Sequence, residues 1–209
     1  MTGLLIVGAG GHGKVVADAA RETGRWGCLA FLDDVPCDDI FGRWPVLGNI
    51  DSIASHRSQY SAVVVALGDN PLRLRRLQEF HELGFSLPTV IHPSATVSDT
   101  ARLGDGTVVF AQAVVGCDTT IGLGGIVNTG ATVDHDCQLG DTVHISPGAH
   151  LAGGVSVANC GWVGIGASLI QSIRVGENAI IGAGAVVIAD VEAHQTVVGN
   201  PARVVKGHC

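Results

Sequence analysis

The chain has 209 residues, of which 46% are hydrophobic, 4% are aromatic and 30 are glycine, a composition that suits one or two domains with narrow cores. The formal net charge of −7 and the lack of a basic run argue against nucleic acid or an anionic membrane as the main partner. No stretch approaches about 18 uninterrupted apolar residues, and the apolar start is too short for a signal peptide, so we expect a cytoplasmic protein without membrane insertion.

Strand and helix patterns alternate over residues 1–88, the first predicted domain. The patterns predict strands near residues 4–7, 28–32 and 62–67, and helices near residues 13–22 and 71–83. Such alternation is typical of parallel βαβ units, so we predict a Rossmann-like α/β domain. Only about 90 residues precede the next region, which is too few for a dinucleotide dehydrogenase with its own substrate domain.

A glycine-rich loop follows the first predicted strand and contains Gly10, Gly11, His12 and Gly13. Glycines at the start of a helix expose backbone N–H groups that can bind a phosphate, although such a loop can also be only a tight connection. The adjacent Asp33 and Asp34 end the second strand, where a doubly wound fold contacts the ribose or base of a nucleotide. They could instead belong to a solvated turn. Together, the loop and the acids favour a site for a nucleotide or a nucleotide sugar.

A hexapeptide repeat dominates residues 89–209, the second predicted domain. Every sixth residue from Ile91 to Val187 is Ile, Leu or Val, at seventeen consecutive positions, and small or β-branched residues stand four positions later. This period predicts an all-β parallel β-helix with three short strands in each turn of eighteen residues, a little over five turns in total. The tail around residues 200–203 breaks the period, and we expect a loop and a short terminal segment there.

Polar residues concentrate within about one and a quarter turns of the predicted coil: Asn128, Asp134, His135, Asp136, His144 and His150. His135 lies outside the inward columns with a carboxylate on each side, and a carboxylate partner orients an imidazole and raises its basicity. This arrangement suits a general base in acyl transfer to an amine or a hydroxyl. His150 is more simply an ordinary corner residue.

Six cysteines are scattered along the chain without a C-x-x-C pair, which predicts free thiols. Cys137 follows His135 closely, yet it occupies the small inward column and should be buried and inert. A covalent acyl-enzyme therefore has no candidate nucleophile, and we expect direct transfer.

The turn length also separates the two central histidines. His135 stacks on positions 117 and 153, whereas His144 is nine residues away, half a turn around the coil. If both serve one reaction, the site must lie between neighbouring subunits.

The whole chain resembles the hexapeptide-repeat acyltransferases of the sialic-acid O-acetyltransferase-like family, with the bacillosamine-pathway N-acetyltransferases nearest. The resemblance is carried by the glycine-rich loop with His12, Phe31-Leu32-Asp33-Asp34, Ile91-His92-Pro93-Ser94-Ala95, Asn128-Thr129, Val133-Asp134-His135-Asp136-Cys137, His144-Ile145-Ser146-Pro147-Gly148-Ala149-His150-Leu151 and Gly199-Asn200-Pro201-Ala202. It implies homotrimers of left-handed β-helices that take acetyl from acetyl-CoA and bind a UDP-4-amino-4,6-dideoxy-N-acetylglucosamine type of sugar for bacterial glycan or protein glycosylation.

The resemblance also implies roles for individual residues. His135 would be the general base, Asp136 would orient it (close relatives also use Glu there), Asn128 would contact the acceptor or the tetrahedral intermediate, and His144 would lie near the acetyl group. The Gly153 N–H would bind the thioester oxygen. Further acetyl-CoA contacts would come from the coil backbone from Gly164 to Ala167 and from Arg203 in the tail.

Four alternatives remain open at this point. The acceptor could be a sugar hydroxyl, and the nucleotide could carry uracil or guanine, since Asp33 and Asp34 suit both. A metal-dependent β-helix hydratase would need three converging histidines, which the intervals between His135, His144 and His150 do not favour, and no metal is expected. A non-catalytic scaffold would need neither the His135–Asp136 pair nor the loop.

Overall fold

The computed structural model describes residues 3–35, 39–40 and 42–205. The N-terminal region contains β1 (Gly3–Val7), α1 (Gly11–Glu22), β2 (Cys28–Leu32), β3 (Asp39–Ile40), β4 (Trp44–Pro45), a 3₁₀ helix (Ile50–His56), β5 (Ala62–Val65) and α2 (Asn70–Glu82). Strands β2, β1 and β5 form a parallel sheet in that order, and β3 pairs with β4 in an antiparallel hairpin.

The predicted strands and helices of this region are confirmed, with boundaries shifted by a few residues. Strands β1 and β5 are buried along their whole length, as their continuous apolar runs require in a sheet that is covered on both faces. The α2 helix begins at a favourable cap, because the Asp69 carboxylate accepts a hydrogen bond from Leu72 N–H at 2.7 Å and Pro71 occupies the first turn. The β3–β4 hairpin and the 3₁₀ helix were not predicted.

The rest of the described chain is a parallel β-helix with three faces of two-residue strands. Face one is formed by Val90–Ile91, Val108–Val109, Ile126–Val127, His144–Ile145, Trp162–Val163, Ile180–Ile181 and Thr196–Val198. Face two is formed by Thr96–Val97, Val114–Val115, Thr132–Val133, His150–Leu151, Ser168–Leu169 and Val186–Val187. Face three is formed by Arg102–Leu103, Thr120–Ile121, Gln138–Leu139, Ser156–Val157 and Arg174–Val175.

The interior of the coil follows the two inward columns of the repeat. Thr132 pairs with His150, one eighteen-residue turn later, and the large and small inward residues form one continuous core. The last turn is shorter, because Ile180 pairs with Thr196, a step of 16 residues. The described coil therefore continues beyond Val187 to about six turns rather than a little over five. The tail is not only a loop, since Arg203–Val204 pairs antiparallel with Thr196–Val198.

The N-terminal region packs directly on face one. Val108, Phe110 and Ile126 of the coil belong to the same buried cluster as Leu4 and Phe31 of the sheet. As a result, the glycine-rich loop lies against face one. No helix in the described part of the chain is long and apolar enough to cross a membrane.

Candidate active site

His135 lies at the corner between face two and face three, as the repeat predicted for an outward residue. Its Nδ1–H donates to Asp136 Oδ2 at 2.7 Å, and 56% of its side chain is exposed. Asp136 has the left-handed φ of 58° that recurs at the corners of the coil, and this conformation places its carboxylate beside the preceding ring. Because Nδ1 is held as the donor, Nε2 keeps the lone pair that can accept a proton.

The His135 ring lies over Gly153, one turn further along. A Cβ atom at Gly153 would overlap Cε1 and Nε2 of the ring, so glycine is required for this position of the imidazole. The hydrogen bond to Asp136, followed by the charge of Asp134, raises the pKa of His135. At this corner, therefore, the basic imidazole of His135 holds its free Nε2 directly over the backbone of Gly153.

His144 occupies a different environment on face one. It is 9% exposed, and its ring stacks on Trp162 with centroids 5.6 Å apart and planes inclined by 6°. Asn128 Oδ1 accepts from Thr129 N–H, so Asn128 Nδ2 is the donor that faces His144 Nε2 at 3.3 Å. The neutral ring then carries its proton on Nδ1, which is buried and has no hydrogen-bond partner in the described chain.

His12 reaches the same place from the glycine-rich loop. Its ring centroid is 6.2 Å from that of His144, it contacts Phe110 edge-on at 5.5 Å, and its buried Nε2 has no hydrogen-bond partner among the described residues. Burial, with the charge of Arg73 second, lowers the pKa of His12 to about 4 and that of His144 to about 3. Both rings are therefore neutral at physiological pH.

The glycines of the loop have different structural roles. A Cβ at Gly13 would overlap the Gly8 carbonyl oxygen, so this glycine permits the tight turn, whereas Cβ atoms at Gly10 and Gly11 would meet open space. Open backbone at the start of α1 is the arrangement expected for binding a phosphate.

Asp33 and Asp34 are both used within the protein. Asp33 Oδ2 accepts from Ala9 N–H at 2.6 Å, and its Oδ1 accepts from Val35 N–H at 2.8 Å. Asp34 Oδ1 accepts from Ile50 N–H at 3.0 Å. Asp33 therefore fixes the glycine-rich loop, and any contact with a ribose or base would use the remaining lone pairs of these carboxylates.

The residues predicted to bind acetyl-CoA are dispersed. Gly164 lines an apolar cavity of about 320 Å³ that begins at His144 and Trp162. Ala167 does not fit the predicted role, because it is fully buried, its N–H donates to Gly164 O and its carbonyl accepts from His150 N–H. Arg203 is exposed in the terminal hairpin, where its Nη1 donates to Ala202 O.

The cysteine predictions hold where the structure describes the residues. Cys28, Cys117, Cys137 and Cys160 are free, and Cys37 and Cys209 lie outside the described residues. Cys137 is fully buried and its Sγ–H donates to Ala152 O at 3.4 Å, while burial raises the pKa of the thiol. No group of three or more His, Cys, Asp or Glu in the described ranges is placed to hold a metal ion.

The structure thus brings the candidate residues into two groups. The corner group contains His135, Asp136 and Gly153, and the face-one group contains His12, Asn128 and His144, with Trp162 added. Trp162 was missed in the sequence, although it lies eighteen residues after His144 and therefore stacks on it in the ladder.

Comparison with known proteins agrees with this architecture. Residues 3–80 match the PglD N-terminal domain family. A stretch of 114 residues is 39% identical to UDP-N-acetylbacillosamine N-acetyltransferase of Bacillus subtilis (strain 168), covering 53% of this chain and 52% of that relative, so the match spans about half of the relative's length.

Several solved structures match almost the whole chain, two of them as complexes with ligands that bear on function. The acetyltransferase domain of PglB from Neisseria gonorrhoeae FA1090, in complex with acetyl coenzyme A, is 44% identical with a TM-score of 0.93, covering 97% of this chain and 98% of that one. A variant of perosamine N-acetyltransferase from Caulobacter crescentus, in complex with CoA and GDP-perosamine, is 40% identical with a TM-score of 0.95, covering 99% and 98%. The chain therefore belongs to the hexapeptide-repeat acetyltransferases of the bacillosamine-pathway type.

Proposed function

We propose that the protein transfers acetyl from acetyl-CoA to the amino group of a nucleotide-linked amino sugar. The observation that carries this proposal is the His135–Asp136 pair, with the free Nε2 of His135 over the backbone of Gly153. The proposal is supported by relatives whose names or bound ligands include acetyl coenzyme A, GDP-perosamine and a UDP-linked bacillosamine.

The proposed reaction is a direct transfer. The sugar nitrogen attacks the thioester carbonyl, a C–N bond forms, and His135 Nε2 accepts the proton that leaves the nitrogen. The C–S bond then breaks, and the departing CoA thiolate takes the proton back from the imidazolium. The Gly153 N–H is the proposed donor to the carbonyl oxygen, on which negative charge develops. Asp136 keeps the imidazole in the productive tautomer and stabilises its protonated form.

The acceptor sugar is proposed to bind on the N-terminal region. The open backbone at Gly10 and Gly11 would hold its phosphates at the start of α1, and His12 would direct the sugar towards His144 and Asn128. We propose a UDP-4-amino-4,6-dideoxy-N-acetylglucosamine type of acceptor and a cytoplasmic location. Guanine is the competing base, since one of the similar structures contains GDP-perosamine.

The thioester arm of acetyl-CoA is proposed to run along the apolar cavity beside His144. Gly164 lies in its wall, and the lining is almost entirely apolar, which suits the pantetheine chain. Arg203 is the proposed contact for the phosphates of the nucleotide end.

We further propose that the active form is a homotrimer with its active sites between subunits. The corner group follows a face-two strand and the face-one group lies on another side of the coil, so one chain presents its two groups in different directions. A corner group of one subunit facing the face-one group of the next would complete a site.

A thiol-release assay tests the reaction. Wild-type protein with acetyl-CoA should release CoA thiol only when an amino sugar nucleotide is present, and mass spectrometry should find the acetyl group on the nitrogen. Release with a hydroxyl acceptor alone would support the O-acetyltransferase alternative. Thermal shift with UDP and GDP identifies the base, since the tighter ligand stabilises the fold more at equal concentration.

Mixed oligomers test the shared site. His135→Ala and His144→Ala chains, each inactive alone, should regain part of the wild-type activity when they are unfolded and refolded together, because some interfaces then combine an intact corner group with an intact face-one group. A mixture as inactive as its parents would refute a site between subunits. Sedimentation of the mixture verifies that oligomers have formed.

A further inference from the structure

Arg73 is a buried cation on α2. It is 1% exposed, yet all three of its nitrogen positions donate to backbone carbonyls: Nε to Gly124 O at 2.9 Å, Nη1 to Leu67 O at 2.8 Å and Nη2 to Thr142 O at 2.6 Å. Burial of a charge is costly unless the charge is compensated, and carbonyl dipoles compensate it less than a carboxylate would. A cation kept here at that cost suggests a role beyond packing.

The three hydrogen bonds join both parts of the protein. Leu67 follows β5 in the sheet, whereas Gly124 and Thr142 are corner residues of successive turns of the coil. Leu77, one turn along the same helix, packs so close to Gly124 that a Cβ atom there would overlap it. Asn70 adds hydrogen bonds from Nδ2 to Cys160 O at 3.0 Å and Gly161 O at 3.3 Å. The α2 helix is thereby fixed to the coil at three consecutive turns.

This contact lies next to the face-one group. Thr142, whose carbonyl accepts from Arg73, stands two residues before His144. The glycine-rich loop that carries His12 follows β1, and Leu67 follows β5, the neighbouring strand of the sheet. The attachment of α2 to the coil is therefore one of the contacts that hold His12 against His144, beside the direct packing of the sheet on face one.

The hydrogen bonds of His144 require a neutral ring. Its Nε2 faces the Asn128 amide donor, and a second proton on Nε2 would set two donors against each other. The guanidinium of Arg73 opposes such a protonation from the α2 side, and the pKa of His144 is lowered first by burial and second by this charge.

We infer that Arg73 is a positioning residue for the face-one group: its hydrogen bonds set the spacing between His12 and His144, and its charge opposes the addition of a second proton to His144. This inference deepens the proposed acetyl transfer and rests on it for its role in activity. In the neutral form the buried Nδ1–H of His144 has no acceptor among the described residues.

The charged and titratable groups around this contact come from each packed element. The His12 ring, on α1, lies 6.2 Å from that of His144, and after burial the charges of Arg73 on α2 and then of His12 lower the pKa of His144. On Arg73 itself, burial lowers the pKa to about 10, while Cys160 of the coil and Asp69 at the start of α2 raise it. Arg73 is therefore protonated throughout the range in which His144 would titrate.

Arg73→Gln and Arg73→Lys separate the two parts of the inference, because lysine keeps the charge and loses the planar set of donors. Arg75→Gln is the matched control, since it makes the same change at an exposed position of the same helix. The readouts are the ¹⁵N chemical shifts of His144 in the free protein from pH 8 down through the expected midpoint of about 3, and kcat and KM for the acetyl transfer.

In Arg73→Gln we expect the titration midpoint of His144 to rise, while remaining below the ordinary histidine value because burial persists. We expect kcat to fall on the order of 10²-fold through misplacement of the histidines. Arg73→Lys should keep the wild-type midpoint and still lose kcat. Arg75→Gln should match wild type in every readout.

A His144 midpoint in Arg73→Gln equal to that of Arg75→Gln would overturn the role of the charge, and wild-type kcat in Arg73→Lys would overturn the role of the hydrogen bonds. If Arg73→Gln does not fold, Arg73→Lys carries the test, because a shifted midpoint or an unchanged kcat in that variant refutes the inference. The titration needs no substrate, so a failure of the proposed acetyl transfer would be seen separately, in the wild-type assay.

Discussion

Two histidines nine residues apart on the same coil have opposite chemistry. His135 at the corner is exposed, bonded to a carboxylate and has a raised pKa, whereas His144 on face one is buried near a guanidinium and has a pKa lowered to about 3. His135 stands at a turn of the coil and His144 on a strand that the N-terminal region covers. The difference therefore comes from what each ring meets: solvent and Asp136 in one case, the N-terminal region in the other. A general base needs the first environment, and a neutral hydrogen-bonding group needs the second.

The largest effect is expected from removing His135, the more basic of these two histidines. His135→Ala should lower kcat about 10²–10⁴-fold, the usual contribution of a positioned general base. Because the side chain is exposed, the free energy of unfolding should change by less than about 0.5 kcal/mol. Steady-state kinetics and chemical denaturation measure both quantities.

The control for this variant is His150→Ala. His150 is also an exposed histidine of the coil, and its Nδ1 contacts only Thr132 Oγ1, at 2.9 Å, among the described residues. The His150→Ala variant should keep wild-type kcat. Acetylation that survives in His135→Ala would remove the corner group from the mechanism.

The next largest effect is expected from changing Gly153, over which the His135 ring lies. In Gly153→Ala, the added Cβ must displace the imidazole, and we expect kcat to fall about 10–10²-fold while the melting temperature changes little. Gly68→Ala adds the same methyl group where no atom lies within 4 Å and should be silent. Equal kinetics in the two variants would mean that the position of the ring over Gly153 is not needed.

A smaller effect, on pH dependence, distinguishes the two histidines. Since only neutral His135 can accept a proton, activity should fall as the pH drops below its raised pKa. Asp136→Asn removes the hydrogen bond that raises this pKa, so the acidic limb should move to lower pH while the maximal rate also decreases through loss of the fixed tautomer.

His144 should contribute no limb between pH 5 and 8, because its pKa lies near 3. The pH profile of kcat/KM for the free enzyme tests both statements. An acidic limb that is unchanged in Asp136→Asn would assign it to a group other than His135.

Most of the coil could be predicted from the sequence because the repeat is a local pattern. Each turn places its residues against the turns before and after it, so the period alone buries Cys137, exposes His135 and stacks Gly153 under it. The shorter last turn escaped prediction because the ladder of large residues ends at Val187 and the tail has no period to extrapolate.

The face-one group was predicted less completely, because its environment arises from contacts between distant parts of the chain. Nothing near His144 in the sequence indicates that it is buried, that His12 lies 6.2 Å from it or that Arg73 approaches from α2. The resemblance named His12 and His144 as site residues, but it carried no information about Arg73. In the sequence, Arg73 is indistinguishable from the neighbouring surface arginine Arg75 until the helix is docked.

The smallest effect is expected at Cys137, the thiol two residues after His135. Cys137→Ala removes one sulfur atom from the core and should cost about 1 kcal/mol of stability, while kcat stays within about twofold of wild type. Intact-mass spectrometry after incubation with acetyl-CoA should find no acetylated protein. A large loss of kcat, or an acetyl group trapped on this thiol, would require a covalent route and would give the corner a second reactive group.

The fully buried thiol, with its pKa raised by burial, lacks the exposed thiolate that such a route needs. Proximity in sequence to a basic histidine therefore does not make Cys137 reactive, because the coil directs His135 outward and Cys137 into the core.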